Sequence, residues 1–535
     1  MDSRDTDLPP DLRDAAQQDP PRIPHPIPSS PYFPETTAAA LAAIIVLCLV
    51  FLLTSLHRLN HTDLWGHLCY GRLIMSQGLP SSDPFSAETA LPAADFVNVP
   101  WLAQVTGFLT WKWLGYEGLV LGHAGLALLS SGLLMWAIRL RGVELRFAIL
   151  GTALSYMVAL PQIGTIRPQL FGTAAFPLVL VATSLVPQRR HPFLWLPLLF
   201  IVWANLHGSF VLGLATLGIC AIGHSWDAWR EKGWEAILAD TGTRYRWLLV
   251  AACCLAACVN PLGPFLLWKV ACFGFSPVLD NITEWQPLVI KSLGGSLFFL
   301  SVLLTVWILC RSQGRLDTYE VLLLFVFALL ALLSMRMLAW WALIWPWVVI
   351  CRAPRRSTST SVPDWNYPIA SRNTMRTLFA LACVFVTLLW SPPSQAIISG
   401  QQRGIGAITV DNTPLYVADR IAEQGDKGNL ICPLDWADYI LWNSGTSLRP
   451  LVYSHVHLVS QRVWDDYLQI LRGDPNWLSL VDHYQLDYLL LSRGRNQMLR
   501  RSIERHPRAE IIYQDQRSLL VRLAAAAPVA PVSSE

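Results

Sequence analysis

A chain of 535 residues with 53% hydrophobic and 14% charged residues carries too few charges for a soluble globular protein, where about a quarter are charged. Its mean hydropathy of +0.39 points to a bilayer, and a net charge of +3 gives no ground for nucleic-acid binding. None of the 11 cysteines form a CxxC pair, which argues against a zinc site or a disulfide framework.

Residues 1–34 are rich in Pro, Asp and Arg and are expected to form a disordered cytoplasmic tail. A membrane span needs about 20 apolar residues. Candidate spans fall near 36–57, 117–138, 147–162, 168–187, 192–206, 209–226, 246–262, 293–310, 318–334, 337–351 and 376–391, about eleven in all. Their connecting loops alternate in charge. One set carries Arg139, Arg141 and Arg146; Arg189 and Arg190; Arg230, Lys232, Arg244 and Arg246; Arg311 and Arg315; and Arg352, Arg355, Arg356, Arg372 and Arg376. The positive-inside rule then puts the N-terminus in the cytoplasm and the other loops outside the inner (plasma) membrane.

The first exterior loop, 58–116, contains two apolar-faced stretches at 63–77 and 101–114, both expected to lie in the membrane interface. The transmembrane part ends near 392. Charges return over 393–525, where short apolar runs at 410–418, 429–433 and 488–492, helical runs at 459–472 and 475–486, and a hairpin at 509–514 with 518–523 predict an exterior or periplasmic α/β domain. Residues 526–535 form an Ala/Pro-rich tail. The expected class is therefore an α-helical polytopic membrane protein with a C-terminal soluble α/β domain.

Ionisable residues at the exterior membrane face mark the places where chemistry could reside, because charge there is costly. In His61-Thr62-Asp63-Leu64-Trp65-Gly66-His67, a carboxylate follows the first span and an imidazole stands one helical turn on. The pair suits a general base with its orienting partner, or two ligands of a divalent metal. A helix cap with a headgroup-level histidine is the plainer alternative. Asp83 in Ser82-Asp83-Pro84 is either a turn residue or a second acid aimed at the same cavity. Arg167 and Arg336 sit between spans on the exterior side, against the positive-inside pattern, and suit a lipid phosphate or headgroups. Asn205 and His207 either line the cavity or satisfy a tight turn. Glu284, beside Trp285, suits sugar binding or interfacial anchoring.

These residues resemble the GT-C superfamily of membrane glycosyltransferases. The resemblance rests on Asp63-Leu64-Trp65-Gly66-His67, Gly78-Leu79-Pro80-Ser81-Ser82-Asp83-Pro84-Phe85-Ser86, Trp101-Leu102, Arg167-Pro168-Gln169-Leu170-Phe171 and Asn205-Leu206-His207-Gly208-Ser209-Phe210. It implies transfer of a hexosyl or pentosyl group from a polyprenyl-phosphate carrier to a lipid-linked glycan, lipid or protein acceptor. Asp63 would be the base or would sit at a Mg or Mn ion, and Arg167 and Arg336 would meet the carrier phosphate. Trp436-Ala437-Asp438-Tyr439-Ile440 is similar to the acceptor-recognition motif of oligosaccharyltransferases, which implies acceptor contacts for Trp436, Asp438 and Tyr439. One departure is plain: related sequences have Asn-His-Glu-Trp-Leu where this chain has Asn98-Val99-Pro100-Trp101-Leu102. The missing glutamate keeps open an inactive scaffold in envelope polysaccharide assembly. A flippase or transporter of a lipid-linked substrate is the other alternative, although the spans hold few charges and no repeat.

Overall fold

The computed structural model describes residues 37–59, 63–87, 96–186, 192–274, 277–312, 314–353, 369–445 and 447–524. The expected tails at 1–34 and 526–535 lie outside the described residues, as do Arg189, Arg190, Arg355 and Arg356.

The helices run in order α1 (Ala38–Ser55), α2 (Asp63–Gln77), α3 (Trp101–Leu140), α4 (Leu145–Ile163), α5 (Gln169–Leu185), α6 (Pro192–Leu206) and α7 (Phe210–Lys232). Then come α8 (Trp234–Ala239), α9 (Thr241–Ala257), α10 (Phe265–Phe273), α11 (Leu293–Arg311), α12 (Thr318–Leu333), α13 (Leu338–Val349) and α14 (Ile369–Trp390). The C-terminal part holds α15 (Pro392–Ser399), α16 (Ile405–Ile408), α17 (Leu415–Gln424), α18 (Leu434–Ser444), α19 (Gln461–Arg472), α20 (Trp477–His483) and α21 (Gln497–Ile503).

Every segment expected to span is helical. Five helices (α1, α3, α4, α7 and α11) are long and apolar enough to cross a membrane, or six if α14 and α15, bent by 70°, are one span. The helices α5, α6 and α12 are apolar but shorter. Their outer faces carry bare apolar side chains such as Leu300, Phe325 and Phe385, each more than 60% exposed. Such a surface is stable only against lipid or another apolar partner. Inside, Trp203, Trp340, Trp341, Trp345 and Trp347 are buried in one core, and hydroxyls satisfy several of their indoles: Ser209 for Trp203 at 3.1 Å and Ser301 for Trp341 at 2.8 Å.

The two ends of the bundle differ. At one end α12 begins with a capping box in which the Asp317 backbone N–H donates to Glu320 at 2.9 Å. Buried Glu320 also accepts from Arg141 and Arg352. The opposite end gathers the turns α4–α5, α6–α7 and α12–α13.

One expectation for the first loop is corrected. Residues 63–77 form a helix, but it does not lie against lipid: α3 and α18 cover it, and Leu64, Trp65, Leu68 and Tyr70 are buried in protein. Residues 101–114 form a helical stretch of their own, as expected: α3 breaks at Gly115, where φ is +65° and any other residue would be strained, and a second helix runs on from there to Leu140.

The C-terminal part builds a five-stranded sheet from β1 (Gly428–Ile431), β2 (Leu448–Pro450), β3 (Tyr488–Ser492), β4 (Ala509–Gln514) and β5 (Ser518–Leu523). The order is β2-β1-β3-β5-β4, with β2, β1 and β3 parallel and the β4–β5 hairpin antiparallel to β3. Small residues let it dock. A Cβ on Gly66 would come within 2.6 Å of Asp438, so α2 and α18 can close only over glycine. Trp65 meets Tyr439 edge-on at 5.0 Å. Just after α1, Leu59 pairs with Thr409 as a bridge.

A buried ion pair fastens the chain beyond α15 to α3. Glu117 is fully buried, and the Arg403 Nη2 donates to it at 2.7 Å. Removing one member of such a pair strands a charge and costs about 3–5 kcal/mol. Arg403→Ala is therefore expected to lower the apparent melting temperature in detergent well below that of Glu117→Gln. Joining Arg403→Leu to Glu117→Met should recover most of the loss. Equal melting curves for the two single variants would show that the pair is not what holds this joint.

Candidate active site

Four chain segments meet at the end of the bundle that carries the α4–α5 turn. Asp63 is the first residue of α2. Arg167 stands in the turn before α5, Glu284 in the 3-10 turn Thr283–Trp285, and Arg336 in the 3-10 turn Met335–Met337. Arg167, 8% exposed, faces Asp63 at 3.3 Å through Nε and donates both Nη groups to Glu284. The Nη1 of Arg336 lies 3.8 Å from Glu284, too far for a hydrogen bond. Its Nε donates to Gln169 at 3.0 Å, and its guanidinium rests over the Trp285 ring at 5.3 Å.

The turns are lashed together by backbone. Met335 N donates to Gln286 O at 3.0 Å, and the Ser334 hydroxyl donates to Glu284 O at 3.3 Å. The α6–α7 turn adds His207, whose Nδ1 accepts from Ser209 N at 3.0 Å. Burial pushes His207 well below the usual imidazole range, and Arg336, His67 and Arg167 push the same way. Two guanidinium groups thus face two carboxylates: Arg167 meets both, and Arg336 stands at the edge of Glu284.

Other expected site residues are placed elsewhere. Asn205 donates to Ile201 O and Val259 O, and accepts from Trp101 Nε1, all within 2.8 Å; it braces α3 against the α6–α7 turn. Asp83 does not join the Asp63 cluster. It lies in the loop after α2, beside Tyr70 two turns along that helix, accepting from Tyr453 at 2.8 Å, Tyr70 at 3.3 Å and Phe85 N at 3.0 Å. Because Tyr70 and Tyr453 enclose it, it serves the joint between the first loop and the C-terminal domain. Trp436, Asp438 and Tyr439 are all less than 4% exposed. Asp438 accepts from Ser454 N at 3.1 Å, and the three fill the contact between α18, α2 and the loop after β2. In this arrangement they pack the joint and face no open cavity.

Two residues near His67 escaped the sequence reading. The ring of His455, from the C-terminal domain, meets His67 at 5.2 Å and Tyr70 at 4.6 Å. Gln104, fully buried on α3, puts Nε2 3.3 Å from His67 Nδ1. A glutamine among the apolar residues of 101–114 was the one visible signal.

Among the described residues no three His, Cys, Asp or Glu side chains form a group able to hold a metal ion. The Arg167 guanidinium stands between Asp63 and Glu284.

Solved structures share this architecture. An oligosaccharyltransferase from Archaeoglobus fulgidus, in the apo form, matches with a TM-score of 0.52 and 10% identity over 84% of this chain and 69% of that one. The oligosaccharyltransferase AglB from the same organism, in complex with an inhibitory peptide and a dolichol-phosphate, matches at 0.55 and 10% over 92% and 75%. A variant of the arabinofuranosyltransferase AftD from Mycobacteria matches at 0.53 and 14% over 92% and 42%. These enzymes belong to the GT-C superfamily. The chain has the GT-C fold. The resemblance carried by the Asp63 and Arg167 motifs is borne out at that level. No family model matches the sequence, and no curated protein matches it.

In this GT-C architecture the Asp83 joint has a pH signature. Burial, against hydrogen bonds from Phe85, Tyr453 and Tyr70, raises the Asp83 carboxyl above its ordinary 3.8. A raised acid contributes stability that is present below about pH 3.8 and lost as pH climbs through the folded value. Wild type should therefore lose melting temperature between pH 4 and 7 relative to Asp83→Asn, which cannot ionise. A constant difference between the two across that range would refute this account of the joint.

Proposed function

We propose that this chain is a membrane glycosyltransferase that moves a sugar from a polyprenyl-phosphate carrier to an acceptor hydroxyl on a lipid-linked glycan, lipid or protein. The observation that carries the reading is the bridge Asp63–Arg167–Glu284 with Arg336 at its edge. Arg167 stands between both carboxylates, so its role is to fix Asp63. Arg336 hydrogen-bonds through Nε alone among the described residues, and its remaining N–H groups suit a phosphate. The GT-C fold supports the reading, as does the dolichol-phosphate held by AglB.

In a single displacement, the acceptor oxygen bonds to the anomeric carbon as the carbon–oxygen bond to phosphate breaks. The bonding electrons leave with the carrier phosphate, and the acceptor proton passes to Asp63. Arg336 stabilises the charge that grows on the departing phosphate.

We further read eleven crossings, with the N-terminus cytoplasmic. The basic helix ends, Arg139, Arg230, Lys232 and Arg311, lie opposite the site, and the positive-inside rule then sets the site and the C-terminal domain on the exterior or periplasmic side of the plasma membrane.

The test uses full-length protein in nanodiscs, with polyprenyl-phosphate-linked radiolabelled sugars and envelope lipid as acceptor. Asp63→Asn should insert normally and lose about 10²–10⁴-fold in transfer rate. Arg336→Gln should lose rate with an unchanged fold. Full activity of Asp63→Asn would sink the assignment of the base. Movement of unmodified carrier across vesicles, with no product, would establish the flippase reading instead.

A further inference from the structure

We infer that Gln169 is a positioning residue for Arg336, holding its guanidinium by a neutral amide so that the outer N–H fork keeps its charge for the carrier phosphate. The inference rests on the carrier-phosphate reading of Arg336 and deepens it.

The backbone around Arg336 is tied down first. Its 3-10 turn is joined to 284–286 by Met335 N donating to Gln286 O and by the Ser334 hydroxyl donating to Glu284 O. Gln162, near the end of α4, adds a bond from Nε2 to Met335 O at 3.3 Å. The side chain is then held at two points. The guanidinium rests over the Trp285 ring at 5.3 Å, and its Nε donates to Gln169 Oε1 at 3.0 Å. A guanidinium has donors only, so the amide must present its oxygen here. Gln169 is the first residue of α5 and is 8% exposed, so a helix carries the acceptor and packing holds it.

The choice of an amide has a chemical consequence. A carboxylate at position 169 would grip the guanidinium more strongly, but it would also cancel the charge. The charged and titratable groups around Arg336 are Arg167, Glu284, Asp63 and His207. Asp63 and Glu284 both stand against Arg167, and Glu284 lies 3.8 Å from Arg336 Nη1. An arginine can clasp a phosphate side-on, through Nε and one Nη, or end-on, through both Nη groups. Gln169 occupies Nε, so the end-on fork is the one left. Direction comes from the amide and charge stays on the arginine.

Full-length protein in nanodiscs tests this, with tritiated polyprenyl monophosphate as the probe and tritiated polyprenol, which lacks the phosphate, as the control. Wild type should bind the phosphate more tightly than the alcohol. Gln169→Glu keeps an acceptor for Nε and adds a charge; Gln169→Leu removes the acceptor. Each should weaken phosphate binding about 10–100-fold and leave alcohol binding unchanged. The loss should also depend on the arginine. In an Arg336→Met background, Gln169→Leu should change phosphate binding by less than about twofold. Wild-type phosphate affinity in either Gln169 variant would overturn the inference. So would an equal loss for phosphate and alcohol, or a loss of the same size with and without the arginine. A wild type that binds phosphate and alcohol alike would defeat the carrier-phosphate reading of Arg336 and the inference with it. Binding that depends on Gln169 as expected, with no sugar transfer by the wild type, would defeat the transferase reading alone.

Discussion

Burying a guanidinium is possible only where carboxylates come with it, and Arg167 sets that condition for this whole end of the bundle. It requires Asp63 from the start of α2 and Glu284, 117 residues downstream, to arrive at one point. The α4–α5 turn, the first loop and the segment around 277–286 therefore cannot be placed independently. The backbone ties from Ser334 and Met335 to 284–286 add the α12–α13 turn to the same knot. What results is one arginine between both carboxylates and a second at the edge of Glu284.

The C-terminal domain completes this arrangement from above. It does not hang from the bundle by a tether alone. It presses α18 onto α2 at Gly66, places Tyr453 on Asp83 and brings His455 beside His67. The helix that bears Asp63 is thus packed on one side by α3 and on the other by a soluble domain. A membrane-embedded site gains the rigidity of a protein interior, and its first loop has no freedom to lie in the lipid headgroups.

Hydropathy and charge alternation made much of the architecture legible. Every segment read as a span is helical, and the β4–β5 hairpin stands where its turn residues place it. Asp63, Arg167, Glu284 and Arg336 stood out because each interrupts an apolar or interfacial pattern, and these four come together. Asp83 looked the same in sequence and does not join them, since only the fold reveals the two tyrosines that enclose it. The stretch 63–77 read as interfacial because amphipathicity does not say whether lipid or protein covers the apolar side, and Leu64 and Leu68 are in fact buried in protein. Trp436, Asp438 and Tyr439 resembled a recognition motif, yet residue types alone do not distinguish a packed joint from an open groove. His455 lies 388 positions from His67 by simple subtraction of their numbers, a separation at which no spacing rule operates.

The Glu117–Arg403 pair has a consequence for how the protein is made. The two partners are separated by 286 residues. At roughly 5–20 residues per second, synthesis needs on the order of 15–60 s to deliver the arginine after the glutamate has emerged. Throughout that interval the carboxylate is without this counter-charge. The final fastening of α3 is therefore a late step of biogenesis: the segment just beyond Gly115 gains its arginine only once the chain past α15 has been made.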